Sequence, residues 1–294
     1  MMDNLARTME RKMESWGLDP SSNGKPEPIQ CKKCGKDKPI AEIKHPITGK
    51  KRWVHCACPC EIERLENEKE EQKQKVKRNK IEKMLKISSE MKNIQSLTFD
   101  SFEGRKGTER TKNAVMGAVN NFKDRQQKGL FIFGETGNGK SHLTAAGGNE
   151  LIKQGYAVIF ITEQDLFKRL DATKNFKNEE SFHEIMNACI EADLMIWDDF
   201  LSSQTLNKDE RNYIFQIVNG RERANKPIWF TSNVTEREFS SDGIQYKLDD
   251  KGRTWWRIIG NSDCVLNTAS NHRKAKAMAQ ALGISIDEYE NRNY

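Results

Sequence analysis

The sequence predicts an α/β protein, a parallel sheet with flanking helices, preceded by a small cysteine-rich module and a charged linker helix. Three observations predict it. From about Leu97 onward, short apolar runs alternate with helical runs, the signature of parallel strands joined by crossover helices. One of those runs, Leu130–Phe133, passes directly into the glycine-rich segment Gly134–Ser141 and then into a helical run beginning at His142. Five of the seven cysteines fall between positions 31 and 60, upstream of the sheet. At 294 residues the chain is long enough for more than one domain.

Taken in order, Leu5, Met9, Met13 and Trp16 recur every three to four residues across Met1–Leu18, the period of an amphipathic helix. Asp19–Pro28 is a linker by composition. Cys31 and Cys34 then flank two lysines and precede Gly35, which suits a knuckle turn, and Cys56-Ala57-Cys58-Pro59-Cys60 supplies the other half of a site. Four thiolates satisfy tetrahedral Zn²⁺, and a reducing compartment disfavours the disulfide alternative. The predicted zinc ligands are Cys31, Cys34, Cys58 and Cys60, the last two because they immediately precede the helix-forming run Glu61–Leu65. Cys56, His55 and His45 are near enough to replace one of them. Cys189 and Cys264 sit in apolar stretches and read as core residues.

Residues 1–60 are thus predicted as an N-terminal helix and zinc-binding domain, and residues 61–96 as a charged linker helix. Acidic residues dominate its start, from Glu61 to Glu71, and basic ones its end, from Lys73 to Lys80, which complements the helix macrodipole. The pattern fits a solvated spacer as well as a nucleic-acid contact. Residues 97–294 form the third section. Strands are predicted at Leu130–Phe133, Ala157–Thr162, Leu194–Trp197, Ile228–Thr231 and Cys264–Asn267. Helices are predicted near Thr111–Gln127, Lys140–Gln154, Glu163–Asp171, Glu179–Glu191 and Lys208–Ala224.

Three of the predicted strands end in chemistry. The loop Gly134, Glu135, Thr136, Gly137, Asn138, Gly139, Lys140, Ser141, continuing into His142, is a Walker A segment. Its glycines let successive backbone N–H groups curl toward the β- and γ-phosphates of ATP; Lys140 adds a point charge, and the Ser141 hydroxyl is the expected Mg²⁺ ligand. Leu194–Trp197 ends in Asp198 and Asp199, a Walker B: Asp198 would hold Mg²⁺, and Asp199 would orient or deprotonate the attacking water. Ile228–Thr231 runs into Ser232 and Asn233, whose amide would sit beside the Walker B carboxylates and help position that water.

Net charge is +6, compatible with a nucleic-acid partner without requiring one. No apolar stretch approaches the roughly 20 residues that cross a bilayer, and the N-terminus has no signal-peptide core, so a cytoplasmic protein without a membrane partner is expected.

The order Gly134–Ser141, then Asp198-Asp199, then Thr231-Ser232-Asn233 resembles the AAA+ ATPases of the DnaC/DnaI helicase-loader family, which share this ASCE P-loop module with the IstB transposition ATPases. Leu97–Phe102 is similar to that family's approach to the nucleotide pocket, and a zinc module joined by a charged helix is similar to DnaI-type and phage loaders. The resemblance covers about residues 29 to 275. It implies that Asn233 is sensor 1, that Arg257 is an arginine finger, with Arg253 as a competitor, and that Arg273 is sensor 2. An arginine finger implies self-assembly into an AAA+ oligomer. Trp255 and Trp256 read as core residues, with base stacking as the alternative. The resemblance further implies that the helical region Leu166–Ile190, with Lys168, Arg169, Lys174, Lys177 and the aromatics Phe167, Phe176 and Phe182, lines a channel for single-stranded DNA; a solvated basic face accounts for it equally. Asp199 departs from the glutamate many AAA+ enzymes carry, which implies slow hydrolysis. The implied function is ATP-dependent loading of a replicative ring helicase of the DnaB type onto single-stranded DNA. The alternatives are an IstB-like transposase-helper ATPase and a nucleotide-binding helicase adaptor or inhibitor with little turnover.

Overall fold

The computed structural model describes residues 25–44, 49, 51–88, 94–123, 128–175, 180–203, 205–241 and 243–293. The helix predicted over Met1–Leu18, most of the linker Asp19–Pro28, and His45, Phe176 and Lys177 lie outside the described residues. The chain divides into two compact units, the first ending at Lys75 and the second beginning at Val76.

The first unit holds an antiparallel hairpin that the sequence pattern does not reveal. β1 (Ile40–Lys44) pairs with β2 (Lys51–His55), placing Ile40 opposite His55 and Lys44 opposite Lys51. Neither strand alternates cleanly between apolar and polar residues, and Ile43 is exposed, so the period-two signal is weak. Ahead of it, the knuckle closes through Cys31 N–H to the Lys36 carbonyl and Gly35 N–H to the Cys31 carbonyl, both at 2.8 Å. Gly35 takes the left-handed conformation, φ +69°, that the turn requires. Helix α1 (Pro59–Ile87) starts two residues earlier than Glu61, with Pro59 in the first turn where its missing N–H costs nothing.

The second unit begins within α1. Met84 is buried in the core, Lys80 Nζ lies 3.0 Å from the Asp193 carboxylate, and the Ser88 hydroxyl accepts the Phe160 N–H at 3.1 Å. The last turns of the charged helix are therefore packed on the sheet of the second unit. The bond from Phe160 also occupies an outward N–H of an edge strand, which would otherwise be open to pairing.

The sheet has five parallel strands: β3 (Gly129–Gly134), β4 (Val158–Thr162), β5 (Leu194–Asp198), β6 (Ile228–Ser232) and β7 (Ser262–Asn267), in the spatial order β4-β5-β6-β3-β7. All five predicted strands are present, displaced by no more than two residues at either end. The strands β3 to β6 are buried and largely apolar because helices cover both faces, whereas the edge strand β7 opens with Ser262 and the exposed Asp263. Within β3, Leu130 and Ile132 pack with Val115, Leu143 and Trp229 on one face, while Phe131 and Phe133 pack with Trp197, Phe230 and Trp255 on the other.

The first face receives α2 (Glu109–Asn120) and α3 (Lys140–Lys153). Helix α2 stops short of Gln127 because the Asn121 amide turns back onto the Gly117 carbonyl at 3.0 Å and closes the last turn. Gly147 of α3 is a packing requirement: a Cβ there would lie 2.6 Å from Val115 Cγ1 and 2.8 Å from the Trp229 ring. The opposite face receives α4 (Glu163–Ala172), α5 (Phe182–Glu191) and α6 (Lys208–Arg223).

Beyond β6 come the short α7 (Glu236–Phe239), then α8 (Arg253–Gly260), α9 (His272–Leu282) and α10 (Ile286–Asn293). Of the two tryptophans expected in the core, only Trp255 is there: Trp256 is 60% exposed. Consecutive helical residues point about 100° apart, so α8 cannot turn both indoles inward, and the inward face goes to Thr254, Trp255 and Ile258.

Candidate nucleotide site and cysteine cluster

At the C-terminal end of β3 the chain makes the tight loop that the glycines permit. Gly134 has φ +137°, and a Cβ there would stand 2.4 Å from the Asn267 carbonyl oxygen. Gly139, at φ +95°, caps the start of α3 with the Phe102 ring 2.8 Å from where its Cβ would be. Asn138 is fully buried: its amide donates to the Asn267 carbonyl at 3.1 Å, and the Asn267 amide donates to the Asn138 carbonyl at 3.3 Å. This reciprocal pair fastens the loop to the end of β7.

Lys140 leads α3 and is nearly buried. Its ammonium donates to the carbonyls of Gly134 (3.0 Å) and Glu135 (2.7 Å) and to the side-chain oxygens of Asn138 (3.1 Å) and Asn233 (3.1 Å). Burial pushes its pKa down to about 8, against the pull of the Asp199 and Asp198 carboxylates. Asp198 ends β5 with its carboxylate buried, which raises its pKa; the Thr231 hydroxyl and the Ser141 hydroxyl bond to it and oppose that rise. Ser141 and Asp198 thus bring two hard oxygen donors together, the chemistry that suits Mg²⁺.

Asp199 turns sharply. Its φ is +52° and that of Leu201 is +60°, left-handed values that cost roughly 1–2 kcal/mol for residues other than glycine, less for Asp than for Leu. The Asp199 N–H bonds the Thr231 hydroxyl at 3.1 Å, and its carboxylate accepts from Asn233 Nδ2 at 3.1 Å. Lys140, Ser141, Asp198, Asp199 and Asn233 line a cleft of about 550 Å³ together with Leu97, Ser101 and Phe102 before the sheet and Arg273 and Lys276 on α9. The His272 N–H donates to the Gly137 carbonyl at 2.9 Å, so the start of α9 is tied to the loop. Cations on one wall and paired acids at the strand ends are an arrangement that neutralises a polyphosphate and its divalent cation.

The profile of a family described as IstB-like ATP binding protein matches residues 61–247, more than half of the chain. The chain belongs to the IstB-like ATP-binding family. Among curated relatives, the chromosomal replication initiator protein DnaA of Aliarcobacter butzleri is 34% identical over 168 residues, 56% of this chain and 36% of the relative. The replicative helicase loader DnaC of Escherichia coli is 35% identical over 112 residues, 37% of this chain and 44% of the relative. The chain therefore spans less than half the length of either. The solved DnaC helicase loader superposes with a TM-score of 0.53 at 21% identity, over 60% of this chain and 99% of that one. The fold of this IstB-like protein is the AAA+ P-loop α/β fold.

The predicted nucleotide residues fall into three groups. Thr136–Ser141, His142, Asp198, Asp199, Asn233 and Arg273 all line the cleft, while Gly134 and Glu135 contribute the carbonyls that hold Lys140. His142 also serves the packing of the cleft wall, since its ring meets Phe102 edge-on at 5.1 Å and bonds the Thr98 carbonyl at 3.1 Å. Arg257 is outside the cleft among the described residues. It lies on α8, bonded to Glu222 at 2.6 Å and Asn219 at 2.8 Å. Thr231, which opens the Thr231-Ser232-Asn233 motif without a predicted role of its own, and Glu163, which belongs to no motif, are both hydrogen-bonded to the Walker B turn; a carboxylate directly after an apolar strand is the signal the sequence offers for the second.

Two of the described basic residues of the helical region are neutralised, while Lys168 is exposed. Arg169 pairs with Glu180, Lys174 with Asp171 and Asp209, and Phe167 is buried while Phe182 packs against the core. Phe167 is therefore unavailable for base stacking, because its ring forms part of the α4 contact with the sheet.

In the first unit, the sulfurs of Cys31, Cys34, Cys58 and Cys60 all lie within 4.8 Å of one another, and Cys56 and His55 are not in the group. Cys34 and Cys58 are 3.3 Å apart and Cys31 and Cys60 3.6 Å, near the edge of about 3.8 Å expected for four sulfurs at 2.3 Å from one zinc. The backbone N–H groups of Cys34 and Lys33 hold the Cys31 thiol down at about 6. Glu61 braces the cluster: its carboxylate accepts the Cys58 N–H and the Lys38 ammonium, each at 3.0 Å. A four-thiol donor set of this geometry fits Zn²⁺.

Proposed function

We propose that this protein is an ATPase that loads a replicative ring helicase of the DnaB type onto single-stranded DNA. The observation that carries the reading is a DnaC-like AAA+ module preceded by a four-cysteine module. In this reading residues 1–60 grip the helicase, 61–96 link, and 97–294 bind and hydrolyse ATP in the cytoplasm. Zn²⁺ would be held by Cys31, Cys34, Cys58 and Cys60, where it would supply folding energy to the module.

At the cleft, the loop amides and Lys140 bind the β- and γ-phosphates, and Arg273 closes on them from α9. Mg²⁺, held by Ser141 and Asp198, would neutralise charge between those phosphates. Asp199 orients or deprotonates the attacking water, and Asn233 fixes the carboxylate that does so. Arg257 reaches the γ-phosphate of a neighbouring protomer once assembly displaces it from Glu222. With Asp199 one methylene shorter than glutamate, turnover is slow and the ATP-bound assembly persists on DNA. That same residue favours the second reading, an adaptor with little turnover. An IstB-like transposase helper is the other enzyme class and pairs with a transposase on duplex DNA.

Copurification with the replicative helicase of the same organism, in ATP and Mg²⁺, tests the proposal. The wild-type chain should retain the helicase, and a Cys31→Ser, Cys34→Ser variant should not. Failure of the wild-type chain to bind would sink the loader assignment. ATP turnover abolished by Lys140→Ala would separate an ATPase from the adaptor.

A further inference from the structure

Glu163 opens α4 directly after Thr162, the residue by which β4 reaches the cleft, and it is completely buried. A buried carboxylate is costly unless each oxygen finds a donor. Its two oxygens are divided among donors of a single segment. One accepts the Leu201 N–H at 2.8 Å; the other accepts the Ser203 N–H at 3.2 Å and the Ser202 hydroxyl at 3.4 Å. Burial raises its pKa, and those donors oppose the rise.

The segment so held continues the turn that follows β5: it begins with Leu201, one of the two left-handed residues of that turn, and the other, Asp199, stands two residues before it. A leucine does not adopt that conformation without an external constraint. Strand β6 fixes one side of the turn, through the Phe200 N–H to the Thr231 carbonyl at 2.8 Å and the Ser232 hydroxyl to the Phe200 carbonyl at 2.7 Å. Glu163 fixes the other side, residues 201 to 203. The turn is gripped between the ends of the two strands that flank β5, and Asp199 stands at its start.

We propose that Glu163 is a positioning residue for the reaction at Asp199: it clamps Leu201–Ser203 so that the Asp199 carboxylate stays on Asn233 and faces the cleft. The proposal rests on the ATPase reading and adds a residue to it. Glutamine at this position has nearly the same volume but one acceptor oxygen, so it can serve only one side of the clamp and sets an NH₂ donor against an N–H on the other.

The test measures steady-state ATP turnover and binding of a fluorescent ATP analogue in the full chain, for Glu163→Gln in the wild-type and in the Asp199→Asn background. Glu163→Gln should lower kcat about tenfold or more with KM and analogue affinity within about twofold, and should have no comparable effect on the residual rate once Asp199 is asparagine. A carboxylate that merely stabilises the fold would lower both backgrounds alike or neither, and either result overturns the proposal. Backbone hydrogen exchange gives a second measure. The Leu201 and Ser203 amides of the wild-type chain should be protected like those of β5, and exchange at open-loop rates also overturns the clamp. Absence of wild-type turnover above Lys140→Ala would reject the ATPase reading, while the exchange measurement still decides whether Glu163 holds the turn.

Discussion

Asn233 holds Asp199 from one end of its side-chain amide, with Nδ2 3.1 Å from the carboxylate, while its Oδ1 receives the Lys140 ammonium at the same distance. A single neutral side chain therefore links the Asp199 carboxylate to the Lys140 ammonium. It can do so only because an amide donates from one end and accepts at the other.

Asn233→Ala should lower ATP turnover by about 10²-fold and leave nucleotide affinity nearly intact, since Lys140 keeps three other oxygens. Asn233→Asp should be worse for turnover than Asn233→Ala, because it sets a like charge against Asp199. Steady-state kinetics with an equilibrium titration of an ATP analogue checks both; an affinity loss as large as the rate loss would remove Asn233 from the chemistry.

The pH dependence of binding follows from Lys140. Burial lowers its pKa to about 8, and only the ammonium form pairs with phosphate. Affinity for ATP should be flat below pH 8. Above it, binding must take up a proton, so Kd should rise, by up to about tenfold per pH unit. Stability moves in the opposite sense over that window: the unfolded chain holds the proton that the folded one has lost, so this group makes folding more favourable as pH rises. Calorimetry in buffers of different ionisation enthalpy reads the proton uptake directly.

The features legible in the sequence are those with a short-range cause. Gly134, Gly139 and Lys140 announce the phosphate loop because the backbone conformation and the charge are local requirements, and the buried strands β3 to β6 announce themselves by apolar runs. Cys31, Cys34, Cys58 and Cys60 stand out from the five clustered cysteines because the last two sit at a helix start, whose first turn fixes their spacing. The hidden features depend on contacts distant along the chain. Glu163 acquires its role from a turn 38 residues away, and the Asn138–Asn267 pair spans 129. The C-terminal helices are not among those expected, although α9 is built of strong helix formers between Asn271 and Gly283, which cap it at either end.

The cysteine cluster predicts a metal content of one Zn²⁺ per chain. Cys34→Ser should bind zinc far more weakly, since it removes one thiolate of four, and chelation should unfold the β1–β2 hairpin, which has little buried apolar surface of its own. Nucleotide affinity should survive chelation, because every residue lining the cleft belongs to the second unit. Elemental analysis and analogue titration of the same sample settle the two points together.

Arg257 supplies the last expectation. In the single chain its guanidinium is held by Glu222 and Asn219, partly exposed on α8, while Lys140 stands in a cleft whose lining excludes it. If Arg257 acts across a subunit boundary, Lys140→Ala and Arg257→Ala chains should each be inactive alone, the first for want of nucleotide and the second for want of transition-state charge. Mixed, they should recover a substantial fraction of wild-type turnover, because some interfaces then join an intact cleft to an intact arginine. Glu222→Gln should raise turnover at low protein concentration by freeing the guanidinium. A mixture no more active than its parts would confine Arg257 to its bond with Glu222, and Arg253, exposed one turn earlier on the same helix, would become the residue to substitute.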